Sequence, residues 1–334
     1  MKNWSSPKTP QPSLGSDMSR TLRTWLEEAQ TICVFRHQNP DPDALGSQWG
    51  LVTWLKETYP HKNIYAMGKH LGVKPELFET PDEVEDSIIE ESLAIILDTA
   101  NAARVDDQRF VKAKHLVKID HHPLPEHYAQ LEIVQEEAAS TCEIIAQLLK
   151  TYSHEAVLSE KTAQYLYMGI ISDTIKFSTT NTTSHSLKMA AYLAQSHLDL
   201  PRINEDLFAL SMTEYLFINY IRAHAVIEDC GLVTLFLTLD TLKTLDMTPN
   251  QAKERINELG NVLTFEIWGL FIETQDDGTS KYNGSLRSRR VTINDIASRY
   301  GGGGHKHAAA VKSLDEVMSQ QLLGELRARI QGAL

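Results

Sequence analysis

The chain has 334 residues, 42% of them hydrophobic and 23% charged, a length that predicts roughly two domains and a composition that excludes a wholly disordered protein. A net charge of −12 argues against tight, sequence-blind binding of long nucleic acid, which needs many cations against phosphates, yet it leaves room for a short phosphorylated ligand in one local site. The apolar runs fall far short of the ~20 residues of a membrane helix, and the three cysteines, Cys33, Cys142 and Cys230, have neither disulfide nor metal spacing, which fits a reducing cytoplasm.

Residues 1–20, rich in Ser, Pro and Thr, read as a flexible tail. Strands are expected at Thr31–Phe35, Asn63–Met67, Leu93–Leu97, Leu116–Ile119 and Leu131–Val134, with helices at Ala44–Lys56, Asn101–Lys112 and Ala138–Lys150. That alternation predicts an α/β fold, a mostly parallel sheet covered on both faces. Helices at Ser159–Ile171 and Ser184–Gln195 follow, and His197–Asp206, with Pro201 and no periodicity, reads as a linker before an amphipathic helix reaching about Glu228. Beyond it, strands at Leu232–Leu239, Thr264–Glu273 and Lys281–Arg287 are expected, the last two joined by a turn at Gln275–Gly278. Helices at Pro249–Leu259, capped by Thr248, at Asn294–Tyr300 and at Asp315–Ile330 complete a smaller α+β unit. The expected organisation is therefore a tail over 1–20, an α/β domain over 21–196, a linker and connecting helix over 197–228, and an α+β domain over 229–334. Trp25, Trp49 and Trp54 read as packing residues, and Met189, Tyr192 and Leu193 as a buried helix face.

The chemistry concentrates at strand ends. His37-Gln-Asn-Pro-Asp41-Pro-Asp43-Ala-Leu-Gly-Ser follows the first strand, Asp98 the third and Asp120-His121-His122 the fourth, while Asp173 ends an apolar helical run. Taken alone, Asp43 reads equally well as a helix N-cap. Carboxyl ends of parallel strands converge on one edge, where an open α/β sheet binds its ligands. Asp41, Asp43, Asp98 and Asp173 gathered in one cleft cannot all ionise unless cations are present, and two divalent ions offset the four charges. Mixed carboxylate and imidazole ligation suits Mn²⁺ best, with Fe²⁺, Co²⁺ and Zn²⁺ as alternatives. Paired ions acidify water and stabilise both oxygens of a displacement at phosphorus. Near the C-terminus, Gly301–Gly304 reads as a cradle of backbone N–H groups for an anion, to which Arg287 and His305 add charged hydrogen bonds; a plain flexible loop is the alternative.

These motifs, in this order, resemble the DHH phosphoesterase superfamily, and Ser285-Leu-Arg287-Ser288 with Gly301-Gly-Gly-Gly304-His305 resembles its DHHA1 domain. Length and the lack of further domains look most like its NrnA-type group, small oligoribonucleases that also dephosphorylate 3'-phosphoadenosine-5'-phosphate (pAp). The resemblance implies one metal held by His37, Asp41, Asp98 and Asp173, a second held by Asp43, Asp98 and His121 with Asp173 as a further candidate, and Asp98 shared between them. It implies that Asp120 orients the histidine pair, that His122 faces the reacting phosphate, and that Arg287, Ser288, Gly302, Gly303, Gly304 and His305 bind substrate. It further implies that the C-terminal domain grips the far end of short single-stranded RNA or a nucleoside bisphosphate, and a homodimer is compatible with it. Hydrolysis of c-di-AMP or pApA is the nearest alternative; manganese-dependent inorganic pyrophosphatase and a nucleotide sensor without turnover are weaker ones. Pro42 and Ile175 stand where the family usually or often has Gly, and Ile175 would disfavour a positive φ.

Overall fold

The computed structural model describes residues 16–72, 74–122, 126–276 and 279–332, and the chain divides into compact units at Ala209/Leu210. In the first unit, β1 (Thr31–Phe35), β2 (Asn63–Ala66), β3 (Leu93–Leu97), β4 (His115–Asp120) and β5 (Leu131–Val134) form an all-parallel sheet in the order β2-β1-β3-β4-β5. The interiors of β1 and β3 are buried and apolar, and β4 is buried from Val117 to Asp120, as a sheet covered on both faces requires. The helices are α1 (Ser16–Glu28), α2 (Pro42–Thr58), the short α3 (Asp86–Glu90), α4 (Thr141–Tyr152), α5 (Glu160–Asp173), α6 (Ser184–Ala194) and α7 (Leu200–Phe208). The main core joins α2, α4, α5 and one sheet face; it includes Trp49 and Trp54, with Trp25 packed against it, and Met189, Tyr192 and Leu193 are buried there.

Three expectations change. Residues 1–15 lie outside the described residues, but Ser16–Arg20 belong to α1, whose Leu22 and Leu26 enter the core. The helix expected over Asn101–Lys112 is replaced by two 3-10 turns, Ala102–Arg104 and Gln108–Lys112. Between them Val105 bridges His37, and buried Asp106 accepts a hydrogen bond from the buried Arg36 guanidinium at 2.6 Å, so the chain is drawn inward where a helix would have continued. The linker expected at His197–Asp206 contains most of α7: Pro201 lies in its first turn, where no N–H partner is needed, and Ile203 and Leu207 are buried in the core.

The second unit comprises α8 (Met212–His224), β6 (Val226–Ile227), β7 (Leu232–Leu237), α9 (Leu239–Thr244), α10 (Pro249–Glu254), β8 (Ile267–Asp276), β9 (Thr279–Ser288), α11 (Asn294–Arg299), β10 (Gly303–His305), β11 (Ala308–Leu314) and α12 (Glu316–Gln331). Its mixed sheet runs β10-β11-β9-β8-β7-β6, parallel only between β7 and β8. One face packs Phe271, Leu286 and Val311 against α11 and α12, while Leu235, Leu270 and Ile272 meet α8 and α10 on the other. Thr248 caps α10 as expected, although a 3-10 turn replaces the second half of the expected helix. The expected turn at Gln275–Gly278 falls partly outside the described residues.

Candidate functional site

Strand order builds the first cluster. β1 and β3 are neighbours whose connections leave in opposite directions, the switch point at which such sheets bind ligands. β3 lies between β1 and β4, so Asp98 at its end is flanked by His37 beyond β1 and by His121 and His122 beyond β4. His37 Nε2 is 3.3 Å from Asp98 Oδ2 and 3.9 Å from Asp41 Oδ1. His121 Nε2 lies 3.5 Å from Asp98, 3.5 Å from Asp173 and 3.9 Å from Asp43. The donor atoms form three overlapping groups able to hold a cation: His37, Asp41 and Asp98; Asp43, His121 and Asp173; Asp98, His121 and His122.

The ring tautomers suit cation binding. His37 Nδ1 meets the Gln38 carbonyl at 2.8 Å and His121 Nδ1 the Ala138 carbonyl at 3.3 Å. With Nδ1 turned to a carbonyl, each ring directs Nε2 at the carboxylates, the atom that a cation would take in place of a proton. Asp120 is buried and its Oδ1 lies 2.9 Å from His122 Nδ1. It therefore orients His122 alone, since His121 is held by Ala138. The Asp120 hydrogen bond raises the His122 pKa, with the Asp98 charge adding to it.

Asp41, rather than Asp43, caps α2, accepting from Asp43 N at 3.1 Å and Ala44 N at 3.0 Å. Pro42 then occupies the first helical turn, where its missing N–H leaves nothing unsatisfied. Asp43 is fully buried and accepts from Thr141 N at 2.7 Å and Cys142 N at 2.9 Å, the positive end of α4. Thr141 Oγ1 also donates to Asp98 at 3.1 Å. Gly169 lets α5 approach: a Cβ there would sit 2.2 Å from Cys142 Sγ and 2.8 Å from Asp43 Oδ1. Asp173 at the end of α5 thereby reaches the cluster.

The electrostatics are those of a cation site. Burial and the neighbouring Asp98 charge push Asp43 up to about 7, and burial with Asp43, Asp41 and Asp98 nearby raises Asp173 well above the usual carboxylate range. Asp98 is held low despite burial, by the His37 hydrogen bond and the charges of His121 and His122. Carboxylates outnumber the charge that the histidines can offset, and histidine Nε2 atoms point among them, so the residues present fit divalent cations.

Thr141, the α4 N-terminus and Lys118 escaped sequence reasoning. Lys118 is fully buried, donates to the Ala100 carbonyl at 3.0 Å and stands 3.6 Å from Asp120 Oδ2. A lysine two residues before Asp120 on one strand, and hence on its face, was the signal for the last; the Asp43–Thr141 contact spans 98 residues and had none.

In the second unit, register places Trp268, Arg287, Ala308 and His305 in one row across β8, β9, β11 and β10. Directly paired residues share a sheet face, so Arg287 and His305 rise on either side of the small Ala308. Burial lowers the Arg287 pKa, and no carboxylate pairs with it among the described residues; Nη1 reaches only the Leu286 carbonyl at 2.9 Å. Ser288 is buried, with its hydroxyl shared between the Val291 carbonyl and His307 Nδ1. The Gly302 N–H closes α11 by donating to Ala297, and Gly303 and Gly304 pair with β11. Gly303 and Gly304 thus belong to an edge strand, and the Gly302 N–H is not free for an anion. A Cβ on Gly302 would lie 1.9 Å from the Ala310 carbonyl oxygen, which explains the glycine.

Two family models match the chain, the DHH family N-terminal domain over residues 31–170 and the DHHA1 domain over 232–332. The bifunctional oligoribonuclease and PAP phosphatase NrnA of Bacillus subtilis (strain 168) is 36% identical, covering 93% of this chain and 97% of that protein. The cyclic-di-AMP phosphodiesterase GdpP of Geobacillus thermodenitrificans (strain NG80-2) is 27% identical over 95% of this chain but only 49% of that protein. An exopolyphosphatase-related protein from Bacteroides fragilis shares the fold, with a TM-score of 0.82 at 19% identity over 96% of this chain and 100% of that one. No described helix is long and apolar enough to cross a membrane. The chain belongs to the DHH family, a DHH domain followed by a DHHA1 domain.

Proposed function

We propose that this protein is a hydrolase that uses two divalent cations, Mn²⁺ by preference, to cut very short RNA to mononucleotides and pAp to AMP, in a cytoplasm that keeps its three free thiols reduced. The observation that carries this is the convergence of His37, Asp41, Asp43, Asp98, His121 and Asp173 in overlapping cation-ready groups, in a chain that aligns with the Bacillus subtilis oligoribonuclease and PAP phosphatase over nearly its full length. Bound divalent ions supply the Lewis acidity that activates water and stabilises charge on the phosphoryl oxygens. His37, Asp41 and Asp98 would hold one ion and Asp43, Asp98 and His121 the other, with Asp98 common to both and Asp173, grouped with Asp43 and His121, beside the second. His122, held by Asp120 and raised in pKa, hydrogen-bonds the reacting phosphate and gives its Nε2 proton to the leaving oxygen. Arg287 and His305 bind a further phosphate of the substrate, a role that suits an arginine without a carboxylate partner.

The test is kcat/KM with Mn²⁺ on pAp, RNA of graded length, pApA, c-di-AMP and pyrophosphate. Short RNA and pAp are expected to lead. Preference for c-di-AMP or pyrophosphate, or tight binding of every nucleotide without turnover, overturns the assignment. Arg287→Ala and His305→Ala are expected to raise KM on pAp by an amount equivalent to ~1.5–3 kcal/mol while keeping both metals.

A further inference from the structure

The sheet face that carries Arg287 and His305 continues away from them into a cavity of about 190 Å³ between α10 and strands β8, β9 and β11. Alternation along paired strands puts Ser285 and Ala310 next on that face, then Asn283; Lys312, at the irregularity that follows Val311, also lines the cavity, as do Lys253 and Asn250 from α10. The lining has two lysines and no carboxylate, in a chain where acidic residues outnumber basic ones by 44 to 32. Lys253 and Lys312 make no ion pair among the described residues. Ser285 is only 6% exposed, yet its hydroxyl lines the cavity without a hydrogen-bond partner among the described residues. Asn283 Oδ1 is occupied by Ser313 N at 3.0 Å, which leaves its NH₂ group as a donor. Ile272 and Pro249 add apolar surface. Apolar walls with unmatched donors and two cations suit a nucleobase and its phosphate.

We propose that this cavity is a subsite for an additional nucleotide of the RNA chain, separate from the phosphate site at Arg287 and His305; the assignment rests on the oligoribonuclease reading above. From Arg287 to Asn283 the face runs four residues along β9, ~13 Å at ~3.3 Å per residue. The cavity opens at Ser285, ~7 Å from Arg287, and its lysines stand at the far end; a nucleoside bisphosphate with one phosphate at Arg287 leaves them free, whereas an oligonucleotide of several residues reaches them. Lys253 and Lys312 therefore separate the two substrate classes, serving RNA and leaving pAp untouched.

The experiment compares the full chain with a Lys253→Ala/Lys312→Ala double variant, both loaded with Mn²⁺, on pAp and on a pentanucleotide RNA across a salt series. Both lysines are exposed, and an unchanged Tm confirms that the variant folds. Expected are a kcat/KM on pAp within twofold of the parent, a ~10-fold fall on the pentanucleotide carried by KM, and a log-log salt slope for the pentanucleotide shallower by ~1.4, at ~0.7 for each lost phosphate contact on a single strand. An unaffected pentanucleotide, or equal losses on both substrates, overturns the subsite while leaving the proposed function standing. A parent inert on both substrates removes the proposed function and the subsite with it.

Discussion

Ile175 sits at φ +43, the first of three consecutive left-handed residues with Lys176 at +58 and Phe177 at +64, directly after the helix that ends in Asp173. A β-branched residue there costs ~1–2 kcal/mol because Cβ crowds the following carbonyl. Little packing offsets it, since the Ile175 side chain is 51% exposed, whereas Phe177 packs on the core and Lys176 lies over the Phe208 ring. The turn itself is held by backbone bonds and by Thr174, whose hydroxyl donates to Ile170 O at 2.6 Å and accepts from Phe177 N at 3.0 Å. Ile175→Gly removes the strain and gives back ~0.5–1 kcal/mol as greater freedom of the unfolded chain. The net expectation is a gain of ~0.5–1 kcal/mol, read as a Tm higher by ~1–4 °C, with activity retained. Ile175→Ala keeps a Cβ at positive φ and should stay near the parent. Thermal unfolding of all three proteins in Mn²⁺ tests this; a glycine variant that melts below the parent, or no higher than the alanine variant, refutes the claim that backbone strain is stored at this turn.

Asp98→Asn should preserve the fold, because Asp98 is at φ +52 and asparagine tolerates that conformation, yet cost ~10³-fold or more in kcat/KM on pAp by removing the charge between His37 and His121; a loss within ~10-fold would show that Asp98 is not shared by two cations. Gly302→Ala should lose ~1–3 kcal/mol of stability, since the new Cβ meets a backbone oxygen at 1.9 Å, while metal content measured by elemental analysis stays at the parent level; an unchanged Tm contradicts the close approach. Without metal, stability should fall as pH rises from 5.5 to 8. The folded state keeps a proton on Asp43 up to about 7 that the unfolded chain releases near ~3.9. The raised pKa values of Asp173, His37 and His122 act with the same sign. Chelated protein should melt lower at the upper pH and Mn²⁺ should reverse much of the loss, so a chelated protein that gains stability over this range counts against a crowded carboxylate site.

The parallel sheet was legible because its strands are short aliphatic runs with no competing helical period: β1, β3 and β5 fall on the expected residues. β10 was not, because Gly303, Gly304 and His305 have no strand preference of their own and pair through register with β11. The segment around Asp106 misled for a different reason. Its composition suits a helix, but a buried ion pair with Arg36 and a cap by Asp107 hold it in two tight turns, and contacts between residues 70 positions apart leave no local pattern. At the site, the residue types and their places at strand ends were readable from the motifs. The hydrogen bonds that orient them were not, since Asp43 is held by an α4 terminus far along the chain and Ser288, placed with substrate, is spent on its own turn.

What strand order adds to the motifs is an explanation of why one carboxylate differs from the rest. Asp41 and Asp43 arrive from the start of α2 and Asp173 from the end of α5, so each approaches the cluster from one side. Asp98 ends the strand that lies between the two histidine-bearing strands, and it alone lies within 3.5 Å of His37, His121 and His122. Its depressed pKa follows from that position: three imidazoles surround it, while Asp43 and Asp173 meet mainly other carboxylates and burial. A permanent anion between two clusters whose other carboxylates resist ionisation is where shared cations gain most. Asp98 is thus set apart by topology rather than by residue type, and a carboxylate moved to a neighbouring strand end would have histidine on one side only.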